Sequence, residues 1–125
     1  MQNIVKSYRF RKKLRVKFLD GMIRDWRSHW NDDFSFYFAQ IAPFIYSTSK
    51  ISQGLRDAQR KVLKMTPKTG MAILLDIGEE NDIHPHNKQD VGKRLALLAL
   101  NRDYGFDIVD SGPLYSNHEV KNEYI

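Results

Sequence analysis

The chain has 125 residues, with 20 Lys or Arg against 15 Asp or Glu and a formal net charge of +5. That length suits one domain with a modest core, and 42% hydrophobic with 28% charged residues excludes collagen-like and broadly disordered chains. There is no cysteine, which excludes disulfides, Cys-bound zinc and a thiol nucleophile, and no apolar stretch approaches the ~20 residues a membrane span needs.

The charge is uneven. Residues 1–30 carry nine Lys or Arg against two Asp, and the remainder carries eleven against thirteen acids. Tyr8 and Phe10 sit among Arg9, Arg11, Lys12 and Lys13, a composition that could stack on and neutralise nucleic acid. Charge runs are more often solvated faces, so nucleic acid is not the expected partner. The first residues do not read as a secretory signal, because basic residues keep interrupting the apolar positions.

From Leu14, apolar residues recur at Phe18, Met22 and Trp26, with Leu19, Ile23 and Trp30 as a second row, which predicts an amphipathic helix over 13–29. Phe34 to Ala42 is nearly continuously apolar and closed by Pro43, the pattern of a buried strand. Ile51, Leu55, Ala58, Val62 and Met65 predict a second helix that ends before Pro67. Met71 to Ile77 reads as a second buried strand. Val91, Leu95, Leu98 and Ala99 then predict a third helix, stopped by Gly105. A short strand around Ile108 and Val109 is expected in the tail.

Alternation of helix and strand predicts a parallel sheet between helix layers. Two strands are too few for such a sheet, so the chain is expected either to pair with a second copy or to form the C-terminal part of a larger domain.

In open α/β sheets, ligands bind beyond the carboxyl ends of the strands. The segment after Ile77 holds Glu79, Glu80, Asp82, His84 and His86. His84 could act as a general base with Asp82 orienting its ring. Asp82, His84 and His86 could instead hold a metal ion, although Pro85 makes that geometry awkward, and a solvated acidic loop is the plainest alternative. Ser47, Ser49 and Ser52 lack a Gly-x-Ser-x-Gly context, and no phosphate loop is present.

Several strings occur in order over residues 14–116: Trp26-Arg27, Phe36-Tyr37-Phe38-Ala39-Gln40-Ile41-Ala42-Pro43, Leu55-Arg56-Asp57-Ala58-Gln59 and Thr69-Gly70-Met71-Ala72. Asp82-Ile83-His84-Pro85, Asn87-Lys88-Gln89, Gly92-Lys93-Arg94-Leu95-Ala96 and Ser111-Gly112-Pro113-Leu114-Tyr115 follow. Together they resemble the C-terminal half of the SGNH-type sialate O-acetylesterase family. The resemblance implies a partial flavodoxin-like α/β/α three-layer fold lacking its N-terminal strands, and removal of acetyl groups from sugar hydroxyls with no cofactor. His84 matches the family's base histidine and Asp82 its candidate acid. It also implies a periplasmic, secreted or lysosomal setting.

Two departures stand out. The chain has no Gly-Gln-Ser-Asn motif, so the family's nucleophile and oxyanion donors are missing. The wider pattern places its Asp three residues before the His, where this chain has Asn81. The expected division is therefore a basic arm over 1–13, the C-terminal half of a hydrolase domain over 14–110, and an accessory tail over 111–125. Its expected partners are an acetylated carbohydrate and either a complementary N-terminal half or a second copy.

Overall fold

The computed structural model describes residues 2–45 and 51–120, with side chains over 15–45 and 52–120. Ser47, Ser49 and the side chains of the basic residues before Arg15 lie outside the described residues. The order is α1 (Gln2–Trp30), β1 (Phe36–Ala39), α2 (Ile51–Met65), β2 (Thr69–Ala72) and α3 (Lys88–Arg102). Helix, strand, helix, strand and helix thus alternate as the pattern predicts. No helix among the described residues is long and apolar enough to cross a membrane.

The two strands pair in parallel, with Phe36 opposite Thr69 and Ala39 opposite Ala72. Side chains alternate between the faces of a strand, so Phe36 and Phe38 point one way and Tyr37 and Ala39 the other. Trp26 of α1 meets Phe36 edge-on at 5.9 Å between ring centroids. On the opposite face, Gly70 lies under Tyr37, Leu98 and Arg102, where an added Cβ would come within 2.7 Å of the Tyr37 ring. Helices α1 and α2 therefore cover one face and α3 covers the other.

Two clusters form the core. Val16 and Ile23 of α1 pack on Ala58 and Val62 of α2, with Leu19 and Phe36 at the margin. Ala42, Ala72 and Leu74 pack against Ile77, Val91 and Leu95 on the α3 side. In α1 the core therefore takes the row 16, 19 and 23. Phe18, Met22 and Trp26, the row that the periodicity makes equally eligible, remain exposed, and so does Trp30 at the end of the second row.

Strand β1 covers only Phe36–Ala39 of the apolar run 34–42, and three further expectations are not met. Helix α1 starts at Gln2 rather than residue 13, because the basic residues there are good helix formers even without an apolar face. Strand β2 covers 69–72 instead of 71–77: Leu74 accepts from the Ile77 N–H in a turn, so the apolar run after Ala72 packs against α3 without sheet pairing. Around Ile108 there is no strand. The Asn101 amide binds the Phe106 and Ile108 carbonyls instead, which takes those groups out of any ladder.

Helix ends follow local chemistry. Asn87 caps α3 by accepting from the Asp90 N–H. Gly105 has φ +73°, and the Phe106 N–H returns to the Leu100 carbonyl, a left-handed stop that only glycine adopts freely. At the end of α1, Arg27 donates to the carbonyls of Phe34, Pro67 and Lys68 at 2.7 to 3.2 Å. Its side chain is 10% exposed. Arg27→Ala leaves these carbonyls without their cationic donor, and we expect a loss of about 3 kcal/mol in urea unfolding. An unchanged midpoint would show that Arg27 merely decorates the turn.

Candidate functional site

The connections leaving the carboxyl ends of β1 and β2 are fastened to each other. Gln40 N–H extends the strand pairing to the Ala72 carbonyl at 2.8 Å, and Ile45 N–H reaches the Glu80 carbonyl at 3.0 Å. Gly78 permits the close approach between them, since a Cβ there would stand 2.3 Å from the Pro43 ring and 2.7 Å from its backbone nitrogen. Further along, α3 holds the start of the second connection. Arg94 forks onto Asp76 with contacts of 2.7 and 2.6 Å and also donates to the Ile73 carbonyl.

This bracing presents the residues 79–86. His84 is exposed, while the neighbouring Pro85 is buried and anchors the segment. Asp82 is half-buried, and its Oδ1 accepts from the His84 backbone N–H at 2.7 Å. Sequence proximity therefore brings Asp82 to the main chain of His84, in an Asx-type turn.

The side-chain pairing falls elsewhere. Glu79 Oε1 accepts from the His86 backbone N–H at 2.7 Å and lies 2.6 Å from the His86 ring Nδ1. Those two contacts, the main-chain one first, hold the Glu79 carboxyl below the usual carboxylate range. Asp82 lies 4.0 Å from the other side of the same ring. Glu79, Asp82 and His86 thus place ligand atoms within 4.8 Å of one another. Such a set could take a divalent cation, with His84 outside it, whereas the sequence grouped Asp82, His84 and His86. A separation of seven residues in an irregular loop carries no periodic signal, which is why the Glu79 and His86 pair was not legible.

A different polar network closes the other end of the sheet. Asp103, just past α3, accepts from Ser35 at 2.5 Å and from the Tyr37 hydroxyl at 2.8 Å. These two hydrogen bonds, Ser35 first, hold its carboxyl low. A polar cavity of about 440 Å³ beside them is lined by Asp33, Lys68 and Arg102. It lies at the amino ends of the strands, away from the 79–86 segment.

Among the described residues the chain is thus a mixed α/β unit of three helices and a two-stranded parallel sheet. In sequence and fold the chain is similar to a carbohydrate acetylesterase from Xanthomonas citri, with 39% identity over 82% of this chain and a TM-score of 0.77. The chain spans 25% of the length of that enzyme. No family model matches the chain, and no curated protein does.

Asp76 gives a direct pH test. Hydrogen bonds from Arg94 hold its carboxyl at about 2, below the ~3.9 of an unfolded aspartate. Its contribution is complete above about pH 4 and is lost as pH falls towards about 2. Thermal melts between pH 2 and 6 should show this acid-labile component in the native chain and not in Asp76→Asn. An equal acid slope in both would remove the Arg94 fork as its source.

Proposed function

We propose that this chain is the base-carrying part of a carbohydrate O-acetylesterase that hydrolyses acetyl esters on sugar hydroxyls, including those of sialic acids. The observation that supports it most is the 39% identity with the Xanthomonas citri acetylesterase, because it extends over 82% of this chain. His84 is the general base: its exposed imidazole takes the proton of an attacking serine and returns it to the departing sugar oxygen. Asp82 positions that histidine by holding its main-chain N–H.

No serine in this chain sits in a Gly-Gln-Ser-Asn context, so the nucleophile and the oxyanion donors come from polypeptide outside these 125 residues. The partial α/β/α unit, read as the C-terminal half of an SGNH domain over 14–110, then supplies base and orientation only. Alone it should release no acetate from p-nitrophenyl acetate beyond the level of His84→Ala.

A chimera tests the positive claim. This chain would replace the matching quarter of the Xanthomonas citri enzyme, and acetate release from an acetylated sugar would be measured after confirming a cooperative melt. Activity is expected, and His84→Ala should lower it by about 10³-fold. A folded chimera without activity, or an active His84→Ala chimera, would overturn the assignment. Turnover by the isolated chain that depends on His84 would instead place a nucleophile within it.

A second reading rests on the sheet edge. The side of β1 away from β2 has no strand partner among the described residues, and Trp26, Trp30, Phe34 and Phe36 form a ladder of ring contacts at 5.5 to 5.9 Å beside it. Exposed edges with apolar cover are pairing surfaces, which fits a non-catalytic assembly module that joins a second copy or a complementary chain. Light scattering should then report a dimer that Trp30→Asp weakens. A cooperatively folded monomer at high concentration would count against self-pairing.

A further inference from the structure

Strand β2 has β1 on one side and no strand on the other among the described residues. Lys68 and Ala72 accept from the β1 side, so the main-chain groups of Thr69, Met71 and Ile73, which alternate with them, face outward. Helix α3 covers both ends of that row. Arg102 donates to the Thr69 carbonyl at 3.0 Å, and Arg94 donates to the Ile73 carbonyl. Midway, Met71 borders a groove of about 430 Å³ lined by Ile73 and Leu97 and, from the tail, by residues 109–112.

A free strand edge with apolar surroundings attracts other strands, and folded chains cover it. Here the last turn of α3 holds the cover. Gly105, with φ +73°, turns the chain off the helix. The Asn101 amide then grips the Phe106 and Ile108 carbonyls at 3.1 and 2.9 Å. Further out, Arg102 Nε donates to Asp110 Oδ2 at 2.5 Å, and the same guanidinium holds the Thr69 carbonyl. One arginine therefore ties the tail to the strand edge. The Asp110 side chain is 17% exposed, and the Arg102 hydrogen bond, first among its contacts, holds its carboxyl below the usual range.

We propose that residues 106–112 are an autoinhibitory strap: latched through Arg102 and Asp110 it closes the outer edge of β2, and unlatched it frees that edge to pair with a second copy of this chain. A two-fold contact brings the same edge of each copy together, with the Thr69 end of one against the Ile73 end of the other. Met71, Ile73 and Leu97 then meet their own counterparts. The charges match as well. Asp76, 62% exposed beyond Ile73, comes opposite the Arg102 of the other copy, which loss of Asp110 has left without its carboxylate. While latched, the strap fills the space that this contact needs. The device is independent of the esterase reading and lies on the edge of the sheet away from the β1 face.

Sedimentation velocity and backbone NMR relaxation separate the two states. Every chain in the comparison carries Trp30→Asp, which removes pairing at β1. With Asp110 intact, the chain should be a monomer in which residues 109–112 are as ordered as α3. In Asp110→Asn and Asp110→Ala, order parameters over 109–112 should fall from about 0.85 to about 0.6 or below, whereas 106–108, held by Asn101, keep theirs. Losing a hydrogen bond between charged groups shifts the strap towards the open state about tenfold or more, so both variants should sediment as dimers. Adding Leu97→Lys to Asp110→Asn should return the monomer. Asp110 lies outside every helix and strand, and melting curves establish that each variant is folded.

Unchanged order over 109–112, a mobile strap without a dimer, or a dimer that Leu97→Lys leaves intact would overturn the proposal. A dimer that forms with Asp110 in place and that Leu97→Lys disperses would overturn the closed resting state.

Discussion

The Arg27 guanidinium sits where the three parts of the chain that set the strand register meet. It reaches the Phe34 carbonyl on the way into β1 and the Pro67 and Lys68 carbonyls on the way into β2. Immediately beyond, Phe36 N–H finds the Lys68 carbonyl at 2.9 Å, the first bond of the parallel pair. Lys68 adopts φ +50°, a conformation disfavoured for any residue with a Cβ, and its ammonium is tied to the Asp33 carbonyl at 2.9 Å. A turn under such strain needs outside support, and one arginine supplies most of it. Without a fixed register, Tyr37 would not lie over Gly70, and the carboxyl-end connections would not meet at Pro43 and Gly78.

Two strands of four residues form few ladder bonds, so the sheet depends on what surrounds it. The clusters on its two faces are carried by small and medium side chains: Ala58, Val62 and Ile23 on one side, Ala72, Leu74 and Leu98 on the other. Asp20 reinforces the first layer. It accepts from Thr66 at 2.6 Å and from Arg24 at 2.8 Å, and those contacts, Thr66 first, hold its carboxyl low. At the sheet edge, the Gln59 side chain supplies the donor and acceptor that a neighbouring strand would offer to Ala39 and Ile41. The edge is thus capped at its carboxyl end and open near Tyr37.

Element type was legible because it depends on local pattern. Ala58 and Val62, four apart, and Val91, Leu95 and Leu98, at three and four, leave no other regular structure that buries them on one face. The face of α1 was less legible. Its apolar residues fill two stripes, and which one becomes core depends on where α2 docks, a tertiary fact. The row 16, 19 and 23 includes Arg15 and Lys17 as close neighbours, whereas the aromatic row looks the better core by hydrophobicity alone. Strand limits were legible only approximately. Composition marks Met71 to Ile77 as buried, but burial against α3 and pairing with β1 are different things, and Leu74 is buried without pairing.

The same distinction governs the candidate site. His84 and Asp82 stood out because histidine and carboxylate crowd one segment after a strand. Their chemistry depends on side-chain direction, which an irregular loop with Pro85 does not encode in its spacing. The structure assigns the Asp82 carboxylate to the His84 main chain and the Glu79 carboxylate to His86, an exchange that no count of intervening residues predicts. Gly78 shows what the sequence does carry. A glycine between an apolar run and an acidic loop reads as a boundary, and its role becomes clear only when Pro43, on the other connection, occupies the space of its missing Cβ. Nothing in the geometry requires His84 to stay where it is. Exposed, with its neighbour Pro85 buried and its backbone held by Asp82, the imidazole is free to turn while its attachment stays fixed. Under the function proposed above, that combination suits a base that meets a serine carried by another segment. Anchoring at Pro85 and Gly78 limits where the ring can reach, and rotation about its side-chain bonds supplies the rest.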